Sequence, residues 1–173
     1  IIHAASQASP KYYINDPVGT LLPNITGTIN LLNLARKKNV ENFIYFSSSE
    51  VYGNYLGESI DETNYGSIDP LEERSCYSES KRMGETICIS WFRQYNIPIK
   101  IIRPFHTYGP GMKIGDGRAF VDFAFNIINS ENIDIRSDGT AIRSYCYLKD
   151  AALAYFYILF EGENGQAYNV GNP

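Results

Sequence analysis

Tyr77 and Lys81 stand four residues apart in Cys76-Tyr77-Ser78-Glu79-Ser80-Lys81-Arg82, a spacing that puts both side chains on one face of a helix. A lysine ammonium in that place favours the phenolate of its neighbour. A free phenol titrates near ~10, so tyrosine becomes a usable base only with such a cation beside it. Upstream, Ser47-Ser48-Ser49-Glu50 supplies hydroxyls and a carboxylate. A serine hydroxyl near the phenol would hold the same substrate oxygen, so Ser48, Tyr77 and Lys81 together read as a proton-transfer site.

Spacing alone is weak, because roughly one such pair arises by chance in a chain of this composition. A second one does occur, Tyr145 and Lys149. It follows Arg143-Ser144-Tyr145-Cys146-Tyr147-Leu148, whose alternation reads as a strand, where residues four apart are too far separated for the same chemistry. Tyr145 therefore reads as a packing residue.

The elements that must position Tyr77 alternate between strand and helix. Ile1-Ile2-His3 reads as a strand end, residues 19–39 as a helix and Asn42 to Ser47 as a buried strand running into the serines. A long polar loop spans Tyr52 to Arg74, followed by a helix from Tyr77 towards Tyr95 and a strand over Ile97-Pro98-Ile99-Lys100-Ile101-Ile102. This alternation predicts an α/β fold with a parallel sheet, in which ligands bind at the carboxyl ends of the strands. After Gly109 the character changes. A glycine-containing loop, an apolar helix over about 118–129, a short strand Ile133-Asp134-Ile135 and Asp150 as a helix N-cap complete the expectation.

Composition fits an ordinary folded domain. The 173 residues are 44% hydrophobic and 14% aromatic, and no apolar run approaches the ~20 residues of a membrane span. A net charge of -4 argues against a nucleic-acid partner, which would be met by clustered Lys and Arg. Cys76, Cys88 and Cys146 have neither metal nor redox spacing, so no metal is expected and a reducing, cytoplasmic compartment is the default.

Taken in order, Ile2-His3-Ala4-Ala5, Asn24-Ile25-Thr26-Gly27-Thr28, Ser48-Ser49-Glu50-Val51-Tyr52-Gly53, the Tyr77 and Lys81 pair, Arg103-Pro104-Phe105-His106-Thr107-Tyr108-Gly109-Pro110, Arg143 and Tyr168-Asn169-Val170-Gly171-Asn172-Pro173 resemble the extended short-chain dehydrogenase/reductase superfamily. Its members include NAD-dependent nucleotide-sugar epimerases, dehydratases and decarboxylases. The resemblance implies a Rossmann-like core over residues 1–108 and part of a substrate lobe, with returning core elements, over 109–173. It further implies catalytic roles for Ser48, Ser49, Glu50, Tyr77 and Lys81. Cofactor contacts fall on Ala4, Ala5, Ser6, Tyr77, Lys81 and Thr107, and substrate contacts on His106, Arg118 and Arg143. The implied ligands are NAD and a UDP- or dTDP-sugar, and the implied assembly is a homodimer formed through the helix of Tyr77 and its neighbour near Asn24 to Leu34. Polysaccharide biosynthesis is the implied setting.

Two departures qualify the resemblance. No glycine-rich strand-turn-helix for the cofactor pyrophosphate is present, so the chain is expected to be a fragment that binds NAD weakly by itself. Where related 4,6-dehydratases place an aspartate before the glutamate, this sequence has Ser49. The serine-glutamate pair, with Asp116-Gly117-Arg118, is closer to UDP-glucuronate decarboxylases, a lyase reaction. A 4-epimerase, a 4,6-dehydratase and a catalytically silent interaction module are the alternatives.

Overall fold

A computed structural model describes residues 1–54, 59–115, 117–135, 138–140 and 142–172, so Asp116 and Pro173 of the motifs above lie outside the described residues. Its main sheet has strand order β1-β2-β3-β6, made of β1 (Ile2–His3), β2 (Phe43–Phe46), β3 (Ile99–Pro104) and β6 (Ala167–Val170). Every pairing is parallel, with Tyr45 opposite Ile101 and Ile102 opposite Tyr168. Two short strands, β4 (His106–Tyr108) and β5 (Tyr145–Tyr147), pair in parallel beside it.

Parallel strands must be covered on both faces, and the sequence of β2 reflects this in an unbroken apolar run. Phe43 and Tyr45 pack with Ile99 and Ile101 against Leu32 and Ala35 of α3 (Thr28–Lys38) and Ile87 and Cys88 of α4 (Ser75–Tyr95). Ile44 and Ile102 face the other way, onto Ala151 and Ile158 of α6 (Leu148–Glu161). Each such aliphatic side chain contributes about 1.5–3 kcal/mol by burial, which makes β2 and β3 the rigid centre of the molecule. No helix among the described residues is long and apolar enough to cross a membrane.

The helix expected over residues 19–39 forms with an interruption. α2 (Pro17–Leu22) passes through a π-helical turn, Pro23–Gly27, before α3. Pro23 has no N–H to donate and its ring crowds the preceding turn, so the helix widens there. Asn24, fully buried, donates to the Thr20 carbonyl at 3.2 Å and to Ser80 Oγ at 2.9 Å, tying the widened turn to α4.

Three expectations need correction. A short helix, α1 (Pro10–Asn15), forms where none was read, with Pro10 at its start. Residues 131–135 make no strand: all five are exposed, and Ser130 before them turns at φ 56°, leaving Ile133 and Ile135 no sheet to alternate against. Asp150 is not an N-cap. β5 runs directly into α6, so Tyr147 takes the cap position and Asp150 falls in the first turn, where its carboxylate faces the positive end of the helix. α5 (Ala119–Ile128) agrees with the apolar helix read at 118–129.

Candidate active site

The carboxyl end of β2 delivers the serines. Ser48 is extended, at φ -162° and ψ 154°, and caps a 3-10 turn over Ser49–Tyr52 by accepting from the Glu50 amide at 3.2 Å. This local bond holds the Ser48 oxygen at the mouth of the turn. Ser49 starts the turn, and Glu50 is exposed.

α4 presents Tyr77 and Lys81 to that turn, both buried, at 6% and 3% exposure. The Lys81 ammonium lies 5.8 Å from the Tyr77 ring centre and 5.2 Å from that of Tyr45, and it donates to the Phe46 carbonyl at 2.7 Å. Burial raises the Tyr77 phenol above its ordinary value and Glu50 adds to this, while hydrogen bonding with Ser48 and Tyr13 and the charge of Arg118 work to lower it. Lys81 is pushed down to about 8 by burial, against the pull of Cys88 and Glu85. Ser48, Tyr77 and Lys81 therefore do meet. Proton transfer asks for both groups to move towards neutrality; the amine has done so, but burial carries the phenol the other way, and the lowering expected from Lys81 is outweighed.

Tyr13 was not read from the sequence. α1 lays its ring on Tyr77, with centroids 4.6 Å apart and planes 14° from parallel. Burial also raises the Tyr13 phenol, with Tyr77 and Glu50 adding to the effect and Arg74 and Arg118 opposing it. The signal available was Ser9-Pro10, a helix start, ahead of Tyr12 and Tyr13.

Around this centre stand the remaining candidates. His106, on β4, is held below its usual value by burial and by the charge of Arg143, with Glu50 and the Ser144 backbone acting the other way. Glu50, His106 and Arg143 thus share one field, which also reaches Tyr13 and Tyr77 through Glu50. Arg118 acts on both tyrosines. The guanidinium of Arg143 bonds the Ile142 carbonyl at 2.9 Å.

At the end of β1, Ala4 and Ala5 are exposed, and the Ser6 hydroxyl is buried without a hydrogen-bond partner. This orphaned hydroxyl beside two small side chains keeps its hydrogen-bonding capacity free for a polar ligand group. Thr107 is different. Its hydroxyl donates to the Phe105 carbonyl at 3.3 Å and bonds with Tyr155 of α6, so the structure gives it a packing partner.

Residues 1–171 match the NAD dependent epimerase/dehydratase family. The chain belongs to that family. Within the NAD dependent epimerase/dehydratase family it is 39% identical over its whole length to UDP-glucuronic acid decarboxylase 6 of Arabidopsis thaliana and 33% identical to UDP-glucuronic acid decarboxylase 1 of Xenopus tropicalis. It spans 50% and 41% of those proteins, about half the length of the curated relatives it matches. Among solved structures it is similar to a UDP-glucose 4-epimerase from Thermotoga maritima with UDP-glucose, at 26% identity and a TM-score of 0.85, covering 99% of this chain and 54% of that one. A UDP-N-acetylglucosamine 4-epimerase from Methanobrevibacter ruminantium, in complex with UDP-N-acetylmuramic acid, aligns at 25% identity and a TM-score of 0.87 over 98% of this chain and 54% of that one. The α/β fold with its parallel sheet is thus that of this enzyme family.

Proposed function

We propose that this chain is the proton-transfer half of an NAD-dependent nucleotide-sugar enzyme, and that its reaction is decarboxylation of UDP-glucuronate through a 4-keto sugar. The observation that carries the reading is the meeting of Ser48, Tyr77 and Lys81 at the carboxyl ends of parallel strands, beside a Ser49-Glu50 pair.

In this reading NAD is held at its nicotinamide half by Ala4, Ala5, Ser6 and Lys81, with Thr107 near it, and supplies reversible hydride exchange at the sugar carbon. Tyr77 Oη takes the proton of the sugar 4-hydroxyl while Ser48 Oγ holds the same oxygen. Lys81, displaced to about 8, favours by its charge the phenolate form that Tyr77 must hold before it takes that proton, and the step leaves Tyr77 as the neutral phenol. Glu50, His106, Arg118 and Arg143 orient the sugar nucleotide, the arginines matching its phosphates or carboxylate with planar donor forks. A ketone at C4 lies β to a C5 carboxylate, so carbon dioxide leaves with the bonding electrons taken up by the ketone as an enolate; C5 then takes a proton and C4 the returned hydride, with no acid required at C6. Ser49 supports this outcome over elimination of water, since its hydroxyl is too weak an acid to protonate a leaving hydroxyl.

The relatives' length, roughly twice that of this chain, makes the complete activity a property of a longer polypeptide. Self-association through α3 and α4, where Leu34 and Met83 are exposed, belongs to the same proposal, as do a cytoplasmic setting and a role in polysaccharide biosynthesis. The test is product analysis by mass spectrometry in a polypeptide of the relatives' length that contains this chain, given NAD and UDP-glucuronate. A UDP-pentose with release of carbon dioxide is expected. A 4-keto-6-deoxy sugar from a UDP- or dTDP-hexose would move the assignment to a dehydratase, and inversion at C4 alone to an epimerase.

A further inference from the structure

Beneath the candidate site the polar contacts converge on one buried ion pair. Arg103 of β3 grips Glu85 of α4 with two prongs, Nε to Oε1 at 2.9 Å and Nη2 to Oε2 at 2.7 Å, and both side chains are only 12% exposed. The same Glu85 oxygen, Oε1, accepts from Ser47 Oγ at 2.5 Å. On the other side, Arg103 Nη1 donates to the Tyr52 hydroxyl at 2.8 Å. Ser47 and Tyr52 are the residues immediately before and after the Ser48–Val51 segment. Both ends of the turn that carries Ser48, Ser49 and Glu50 are thereby fastened to a single ion pair.

A buried pair of this kind is poor support for stability alone, because desolvating two charges costs about as much as their attraction returns. Its geometry explains more. Tyr52 passes the tie onward by donating to Asn169 Oδ1 at 2.7 Å, and the Asn169 amide donates to Glu62 Oε1 at 2.7 Å, so the turn is also anchored to β6. Along α4, Tyr77, Lys81 and Glu85 repeat at intervals of four, one stripe of the helix, and meet in turn Ser48, the Phe46 carbonyl and Ser47.

We propose that Glu85 and Arg103 are positioning residues, a clamp that closes the Ser47–Tyr52 turn from both ends and so keeps the Ser48 hydroxyl on the Tyr77 phenol. The clamp gives Glu85 a role that neither proton transfer nor substrate binding assigns it. Only the purpose of holding Ser48 rests on the function proposed above; the mechanical claim concerns this chain by itself.

The test is amide hydrogen exchange and tyrosine carbon resonances, both by NMR on this chain and its variants. In Glu85→Gln, the amides of Glu50, Val51 and Gly53, which bond within the turn at 3.2, 3.2 and 3.1 Å, exchange at least about ten-fold faster relative to those of Phe43 and Ile101, which report opening of the whole sheet. The resonance of the hydroxyl-bearing Tyr77 ring carbon moves in the direction that Ser48→Ala moves it. Should Glu85→Gln fail to fold, Ser47→Ala and Tyr52→Phe each release one end while leaving the ion pair intact, and each gives the same selective loosening in smaller measure. Turn amides that loosen only in step with Phe43 and Ile101, or a Tyr77 resonance unmoved in all three variants, overturn the clamp. Neither signal needs turnover. A chain that gives both signals yet processes no nucleotide sugar keeps the clamp and loses only the proposed function.

Discussion

The ring of Tyr13 lies on the ring of Tyr77, 4.6 Å between centroids and 14° from parallel, although 64 positions separate them in the chain. The stack closes one face of the candidate base to water and is one source of the burial that raises both phenols. α1 delivers that ring.

From the stack follows a stability difference between two substitutions. Tyr13→Ala removes a buried aromatic side chain and is expected to cost about 3 kcal/mol or more, whereas Tyr13→Phe keeps the stack and should cost under about 1.5 kcal/mol. Urea denaturation measures both. Equal costs would mean that the Tyr13 hydroxyl, and not its ring, holds α1 in place.

Lys81 is a buried cation whose folded-state value is displaced downward, from 10.5 to about 8. Between about pH 8 and 10.5 the unfolded chain holds this proton and the folded chain does not, so the Lys81 contribution to stability rises with pH across that window. At pH 7 the charge is a burden. Lys81→Met should therefore be more stable than the wild type by about 1 kcal/mol at pH 7, with the gap narrowing as pH rises from 8 to 10.5. Paired denaturation curves at the two ends of the window check this, and a gap that widens with pH would contradict it.

Much of this site was legible in the residues. Period-four spacing of Tyr77 and Lys81 places them on α4, and the apolar run into Ser47 places the serines at a strand's end, because both patterns are local. The ion pair of Glu85 with Arg103 was not legible: it joins a helix to a strand 18 positions away, and nothing in either segment names the other. Tyr13 escaped for the same reason. Ile133-Asp134-Ile135 failed in the opposite sense, since its alternation promised a strand that tertiary structure gives no neighbour to pair with.

Acid sensitivity should trace in part to His3. Buried beside Tyr45 and bonded through Nε2 to Thr28 Oγ1 at 2.9 Å, it is lowered from 6.5 to about 4 by burial, with the Lys81 charge adding to the effect. Between those values the unfolded state binds the proton and the folded state does not. Stability from this residue is complete above about pH 6.5 and declines as pH falls towards 4. A His3→Gln variant should show a flatter dependence of the urea midpoint over that interval, and identical slopes would exclude His3 as the source.

Gly84 faces the Tyr45 hydroxyl so closely that an added Cβ would lie 2.0 Å from it. An alanine in a helix interior ordinarily gains about 1 kcal/mol over glycine, but here it must displace a fully buried ring. Gly84→Ala is expected to destabilise the chain by about 1–3 kcal/mol in thermal or urea unfolding. A stabilised variant would show that Tyr45 yields easily and does not support Lys81.

In the proposed reaction Tyr77 moves the proton of a sugar hydroxyl. This transfer is tested most directly by the near-ultraviolet absorbance of reduced nicotinamide in a single turnover, using a polypeptide of the relatives' length that contains this chain, with saturating NAD and UDP-glucuronate. Tyr77→Phe should slow the appearance of that absorbance by about 10²-fold or more while nucleotide-sugar affinity, read by calorimetry, stays within about two-fold. A Tyr77→Phe protein that reduces NAD at the wild-type rate would contradict the account, whatever its product.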